Sequence, residues 1–232
     1  MEIGIGTPIG SARATSLGAQ VVAASLGDRR VLWLTPQPTV PLRGGVPVCF
    51  PWFGAAGTPS HGFGRRVEWS VDAVATDSVM FELAESPETL AIWPHRFHAA
   101  LTVRIGQTLD FEFAVTNTDT SPFTFTYALH SYFATDNLAE WRLDGLGAPV
   151  TAAEPIDRIW ELAPDRLIFD GLYVETAGMP SAVVWNPGPN EVGDIGSAYR
   201  DFVCVERGCI GSAAVTLEPA ARYVGSMRIG LL

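Results

Sequence analysis

Apolar and polar residues alternate in short runs along most of the chain. Two such runs, 109–116 and 122–127, stand just before a distinctive heptad, Tyr127-Ala128-Leu129-His130-Ser131-Tyr132-Phe133. Successive side chains of a strand point to opposite faces, so a period of two predicts half-buried strands. Further strand-like runs lie at 67–75, 79–84, 97–105, 156–162, 166–169, 182–185, 202–206, 213–217 and 223–229. Turn residues separate them, and no segment sustains a helical period. The pattern predicts an all-β fold, an antiparallel β-sandwich. Residues 19–26 and 30–34, joined through Gly27-Asp28, predict a hairpin. The one helical expectation is a short segment within 87–95. With no internal repeat, low-complexity tract or linker, residues 1–232 are expected to form a single domain.

The segment 37–59 breaks the pattern. It is too rich in Pro and Gly for a helix or central strand, yet it is hydrophobic. That combination predicts a loop packed over something. The heptad reads as the end of a strand that delivers His130 into a cleft. His130 then shares a face with Ala128 and Tyr132, while Leu129 and Ser131 point the other way. A histidine walled by aromatic residues titrates near neutrality and suits general acid work. Taken alone, it fits better a half-buried, hydrogen-bonded residue at a sheet margin.

Composition narrows the classes. Hydrophobic residues are 47%, charged residues 17% and the mean hydropathy is +0.19, which excludes wholesale disorder. The net charge of −10 argues against a nucleic-acid surface. It leaves room for a local arginine pocket, and every basic residue here is arginine. No apolar run is long enough to cross a bilayer, and residues 1–10 have no signal-peptide pattern, so no membrane partner is expected. Cys49, Cys204 and Cys209 have neither zinc-pair spacing nor an even count, which predicts reduced thiols in a cytoplasmic protein.

Arg43-Gly-Gly-Val-Pro-Val-Cys-Phe-Pro-Trp-Phe-Gly54 resembles a signature of the D-hexose-6-phosphate mutarotases, or glucose-6-phosphate 1-epimerases, of the aldose 1-epimerase superfamily. His61-Gly62-Phe63-Gly64-Arg65, Leu129-His130-Ser131-Tyr132-Phe133, Asp157-Arg158-Ile159-Trp160 and Val203-Cys204-Val205-Glu206 resemble family elements in the same order. Trp185-Asn186-Pro187 matches a weaker one. The resemblance implies a large antiparallel sandwich of the galactose-mutarotase type. It implies His130 as general acid, Glu206 as general base, and Arg43, His61, Arg65 and Asp157 as substrate contacts. The chain departs from the family pattern at Ser60, at Gly64, after Pro187 and after Glu206.

The residues bear these roles in different degrees. Glu206 ends an apolar run and shares a face with Cys204; alone it also fits a solvent-facing margin. Asp157 suits an acceptor for sugar hydroxyls or an orienter of His130, and alternatively a surface pair with Arg158. Arg43 and Arg65 sit in glycine-bearing loops, and guanidinium groups suit phosphate. His61 suits a donor to a sugar hydroxyl. Arg66 reads as a solvated neighbour, and His95 and His98 as fold and surface residues. Trp52, Phe53, Phe63 and Trp185 are candidate walls. The expected partner is a small-molecule sugar or sugar phosphate, with no cofactor and no metal, acted on by a monomer. His130 and Glu206 are expected to face one cleft about a sugar ring apart. The alternatives are a mutarotase of unphosphorylated aldoses and a non-catalytic carbohydrate-binding sandwich.

Overall fold

The computed structural model describes residues 1–37, 39, 41–190 and 195–232. Residues 38 and 40 of the expected loop lie outside the described residues. Two antiparallel sheets dominate the fold. The larger has nine strands, in the order Val150–Thr151, Arg142–Asp144, Arg166–Phe169, Leu172–Ala177, Arg222–Leu231, Thr108–Asn117, Phe97–Ile105, Ser78–Ala84 and Ser70–Val74. The smaller has six. Its order is Ile156–Trp160, Ser181–Asn186, Phe202–Cys209, Tyr127–Leu129 and Val48–Cys49, with Tyr132–Ala134 also paired to Phe202–Cys209.

Alternation along these strands explains why they face each other. Phe97, Ala99, Leu101, Val103 and Ile105 are buried along one face, as are Leu109, Phe111, Phe113 and Val115 on the next strand. They share a core with Leu129, Val184 and Val205 of the six-stranded sheet. Aromatic rings join the layers: Tyr127 lies 4.6 Å from Phe113, centroid to centroid, and Phe50 meets Phe113 at 5.7 Å. Burying rings of this size dominates the energetics of such a core. The single α-helix among the described residues, Pro87–Ile92, starts at a Ser86 capping box with Pro at its first turn.

Three expectations need correction. The hairpin at 19–34 forms as Gln20–Leu26 against Arg29–Arg30, but Leu32 and Leu34 then make only single bridges, to Phe133 and Gly44. The run 213–217 begins in a 3-10 turn, Gly211–Ala213, and only Val215–Leu217 is strand. An unexpected hairpin, Glu2–Thr7 with Gly10–Thr15, precedes all the expected strands. Its interior positions are largely Gly and Ala, residues depleted from strands, so packing rather than propensity makes it. Ile3, Ile5, Ala12 and Ala14 are all buried in the main core.

Candidate functional site

One face of the six-stranded sheet is turned away from the shared core, and its register sets out the site. Leu129 lies opposite Arg207, and Tyr132 lies opposite Cys204. The same register, carried through the break between these short strands, sets His130 opposite Glu206. Residues opposed across an antiparallel pair share a face with Cβ atoms about 5 Å apart. Val183 lies opposite Glu206, and Trp185 lies opposite both Cys204 and Asp157. This face therefore carries Asp157, Val183, Trp185, Glu206, His130 and Tyr132, while Leu129, Val184 and Val205 point into the core.

The 43–66 segment covers this face and brings the remaining polar groups. His130 N–H donates to the Pro47 carbonyl at 2.9 Å, and Tyr132 N–H to that of Gly45 at 2.8 Å. Gly64 N–H donates to the Phe50 carbonyl at 2.8 Å. Gly62 has φ of +69°, and a Cβ there would collide with the Phe50 carbonyl, so the chain can pass this closely only as glycine. Together these elements enclose a cavity of about 800 Å³, lined among others by Arg43, His61, Arg65, His130, Asp157 and Glu206. All six sequence candidates meet there. Phe53 and Trp185 also line it. Phe63 is buried in the core, and Trp52 packs edge-on against Phe63 rather than forming a wall.

At the base of the cavity His130 Nε2 lies 3.4 Å from Glu206 Oε1, with 8% and 2% of their side chains exposed. The expected gap of a sugar ring is absent, because direct cross-strand opposition brings the two side chains together. His130 Nδ1 and Glu206 Oε2 are buried without a hydrogen-bond partner among the described residues. Tyr132 stacks on the His130 ring at 4.8 Å with planes only 9° apart. Burial holds the Glu206 carboxyl well above the usual carboxylate range, and the Asp157 charge adds to this while Arg65 opposes it. Burial likewise holds His130 well below its ordinary value, assisted by His61 and Arg65. Both shifts disfavour a charged pair, so the pair keeps one proton between its two members.

His61 sits beside this pair, its ring 5.6 Å from that of His130. Burial and the charges of Arg65, Arg66 and Arg43 push its pKa down to about 4, so it is neutral at physiological pH. Its Nδ1 accepts the Gly54 N–H at 3.3 Å and lies 3.3 Å from Cys49 Sγ. With Nδ1 an acceptor, the ring proton resides on Nε2, which makes His61 a donor. Burial keeps the Cys49 thiol protonated. Burial holds the Tyr132 hydroxyl well above its ordinary pKa, and the nearby Arg43 opposes this. Arg65 Nη2 reaches the Ser60 carbonyl at 3.4 Å.

Other readings change. Arg158 stacks on Trp160, 4.4 Å from its ring centroid, and no ion pair joins it to Asp157 among the described residues. His98 meets Glu82 at 3.3 Å and His95 meets Asp119 at 3.8 Å, away from the cavity. Arg66 is exposed, as expected, and it also lines the cavity. Its position next to Arg65 in the motif was the available signal. Tyr132 stacks on His130 and Cys49 meets His61, contacts that no periodicity reports. Among the described residues no group of three or more His, Cys, Asp or Glu is placed to hold a metal ion.

Residues 2–166 match the family model described as aldose 1-epimerase. A Salmonella typhimurium protein provisionally named a glucose-6-phosphate 1-epimerase is 35% identical over 220 residues, covering 78% of this chain and 73% of that protein. One from Escherichia coli with the same provisional name is 32% identical over 242 residues, covering 88% and 81%. A Salmonella typhimurium crystal structure provisionally described as a mutarotase superposes with a TM-score of 0.84 at 29% identity, covering 100% of this chain and 90% of that one. A galactose mutarotase-like protein from Lactobacillus casei gives 0.82 at 16% identity over all of both chains, a likeness of fold alone.

Proposed function

The chain belongs to the aldose 1-epimerase family and is an isomerase of sugar anomers, and within that family we propose that its substrate is a hexose 6-phosphate such as glucose 6-phosphate. Glu206 and His130 act as the base and the acid. In the reactive tautomer the shared proton sits on His130, and the ionised Glu206 takes the proton of the anomeric hydroxyl. Protonated His130 delivers its proton to the ring oxygen as the C1–O5 bond breaks. The product is the open-chain aldehyde, and the electron pair of the O1–H bond becomes part of the C1=O double bond. Rotation about C1–C2 presents the other carbonyl face. Closure returns the proton from the C5 hydroxyl to His130 and the Glu206 proton to O1, leaving the enzyme unchanged. Each assisted proton transfer contributes about 10²–10⁴-fold.

The observation that carries this reading is the buried Glu206–His130 contact at 3.4 Å, with an unpartnered acceptor or donor atom on each member. A pair sharing one proton always offers one donor and one acceptor, which is what ring opening requires. Desolvation resists both a second proton and loss of the last one, which favours that state. His61 as an Nε2–H donor and Asp157 as an acceptor suit sugar hydroxyls. Arg43 and Arg65 suit the phosphate. Residues 1–232 are read as one domain working as a cytoplasmic monomer, supported by one core drawn from both sheets and by three free, buried cysteines.

Exchange spectroscopy by NMR tests the activity. Cross-peaks between the α and β anomers of glucose 6-phosphate should grow with added protein far faster than for free glucose. Equal acceleration of both sugars would reassign the substrate to unphosphorylated aldoses, and acceleration of neither by folded protein would refute the assignment.

A further inference from the structure

Arg66 stands beside Arg65 on the 3-10 turn Gly64–Arg66, and both line the cavity. Five arginines of this acidic chain, Arg13, Arg29, Arg96, Arg142 and Arg228, each lie within 4.0 Å of a carboxylate. Arg65 and Arg66 have no such partner among the described residues, although acidic residues outnumber basic ones 25 to 15. Arg65 Nε is also buried without an acceptor among the described residues. Two adjacent cations held together unneutralised repel each other, and partial burial, with the Arg65 charge added, holds the Arg66 guanidinium below its ordinary pKa. The fold keeps this arrangement at the edge of a sugar-sized cavity rather than letting a carboxylate quench it.

We infer that Arg66 is a specificity-determining residue of this site: with Arg65 it forms a two-guanidinium cradle that selects a doubly charged anionic group on the sugar over a singly charged or neutral one. This rests on the hexose 6-phosphate reading above. A phosphate monoester loses its second proton near about pH 6, and its three oxygens can accept from two guanidinium forks at once. A carboxylate offers two oxygens and one charge, enough for Arg65 alone. The cradle also supplies local attraction where the whole-protein field repels anions, since screening acts over about 8 Å at physiological salt.

The test measures kcat/KM for anomerisation of glucose 6-phosphate, glucuronate and glucose by wild type, Arg65→Ala, Arg66→Ala and Arg66→Lys. Arg66→Ala should lower kcat/KM for glucose 6-phosphate about three- to ten-fold, the loss of one charged hydrogen bond discounted for solvent exposure. Its loss should be smaller for glucuronate and smallest for glucose. In wild type, KM for glucose 6-phosphate should fall as pH rises through about 6, and Arg66→Ala should flatten that fall while Arg66→Lys restores part of it. Thermal melts should match wild type, because Arg66 is exposed and its side chain has no partner to lose. If Arg66→Ala leaves glucose 6-phosphate kinetics unchanged while Arg65→Ala impairs them, the inference fails and the phosphate reading stands. If wild type does not prefer glucose 6-phosphate over glucose, and Arg65→Ala affects both sugars alike, the phosphate reading itself fails.

Discussion

Glu206 and Arg207 are neighbours on one strand, and both are buried, at 2% and 0% exposure. They point to opposite faces of the sheet and are treated differently. Arg207 bridges the two layers of the sandwich. Its Nη1 donates to the Pro164 carbonyl at 3.0 Å, and its Nη2 donates to Thr176 Oγ1 at 2.8 Å and the Met179 carbonyl at 3.0 Å. Only its Nε lacks a partner among the described residues. Glu206 meets a single nitrogen, and its other oxygen has no partner among the described residues. Burial of a charged group therefore does not separate structural from functional residues. The number of satisfied atoms does: a buried charge with several hydrogen bonds holds the fold, and one left open toward a cavity is available to a ligand.

The comparison breaks most sharply on substitution. Glu206→Gln should reduce anomerisation of glucose 6-phosphate by about 10²–10⁴-fold, with the fold retained by circular dichroism. Arg207→Met should do the reverse. It leaves the carbonyls of Pro164 and Met179 without their donor, and should cost about 2–4 kcal/mol by urea denaturation. The protein that remains folded should keep kcat within a few-fold of wild type. If Arg207→Met abolished turnover without lowering stability, the division between the faces would be wrong.

The pH dependence of stability sharpens the same contrast. Glu206 has a folded-state pKa raised above 4.5. As pH rises past that value the unfolded chain releases its proton while the folded protein retains it, and the fold loses stability relative to the unfolded chain. Glu206→Gln removes this penalty. It should melt higher than wild type at neutral pH, with the difference closing as pH falls below about 4.5. A Glu206→Gln melt below that of wild type at neutral pH would show that the carboxylate is stabilised rather than penalised.

Two smaller effects concern the covering loop. Arg65→Ala should lower kcat/KM more for glucose 6-phosphate than for glucose, mainly through KM, because binding energy remote from the reacting carbon is lost while the acid–base pair remains. Cys49→Ser should change little, since a hydroxyl can still face His61 Nδ1. Cys49→Ala should weaken binding slightly more by loosening the ring, and the difference is readable as a shift of the His61 imidazole resonances in NMR.

Much of this was legible in the sequence because alternation reports strands directly. The Phe97–Ile105 and Arg166–Phe169 strands coincide with the apolar runs, and His130 does share its face with Tyr132. The family motifs identified which loops to watch. Other features lie beyond local pattern. The opposition of His130 and Glu206 depends on a long-range register, and no periodicity reports which strands pair. The first hairpin hides because Gly4, Gly6, Ala12 and Ala14 have weak strand preference and are held by packing. Arg66 looks like an ordinary surface cation until the fold sets it at the cavity with no carboxylate paired to it among the described residues. Trp52 and Phe63 carry the composition of a sugar-binding wall but serve the core, since an aromatic side chain suits either place.

The central claim is that Glu206 and His130 act as one proton-sharing unit. The most direct measurement is the anomer exchange rate of glucose 6-phosphate for wild type, His130→Ala, Glu206→Gln and the double variant, each shown to be folded. Members of a single catalytic unit are strongly non-additive. The double variant should therefore be about as slow as the slower single variant. Losses that simply add, or a single variant that keeps near-wild-type exchange, would contradict the account.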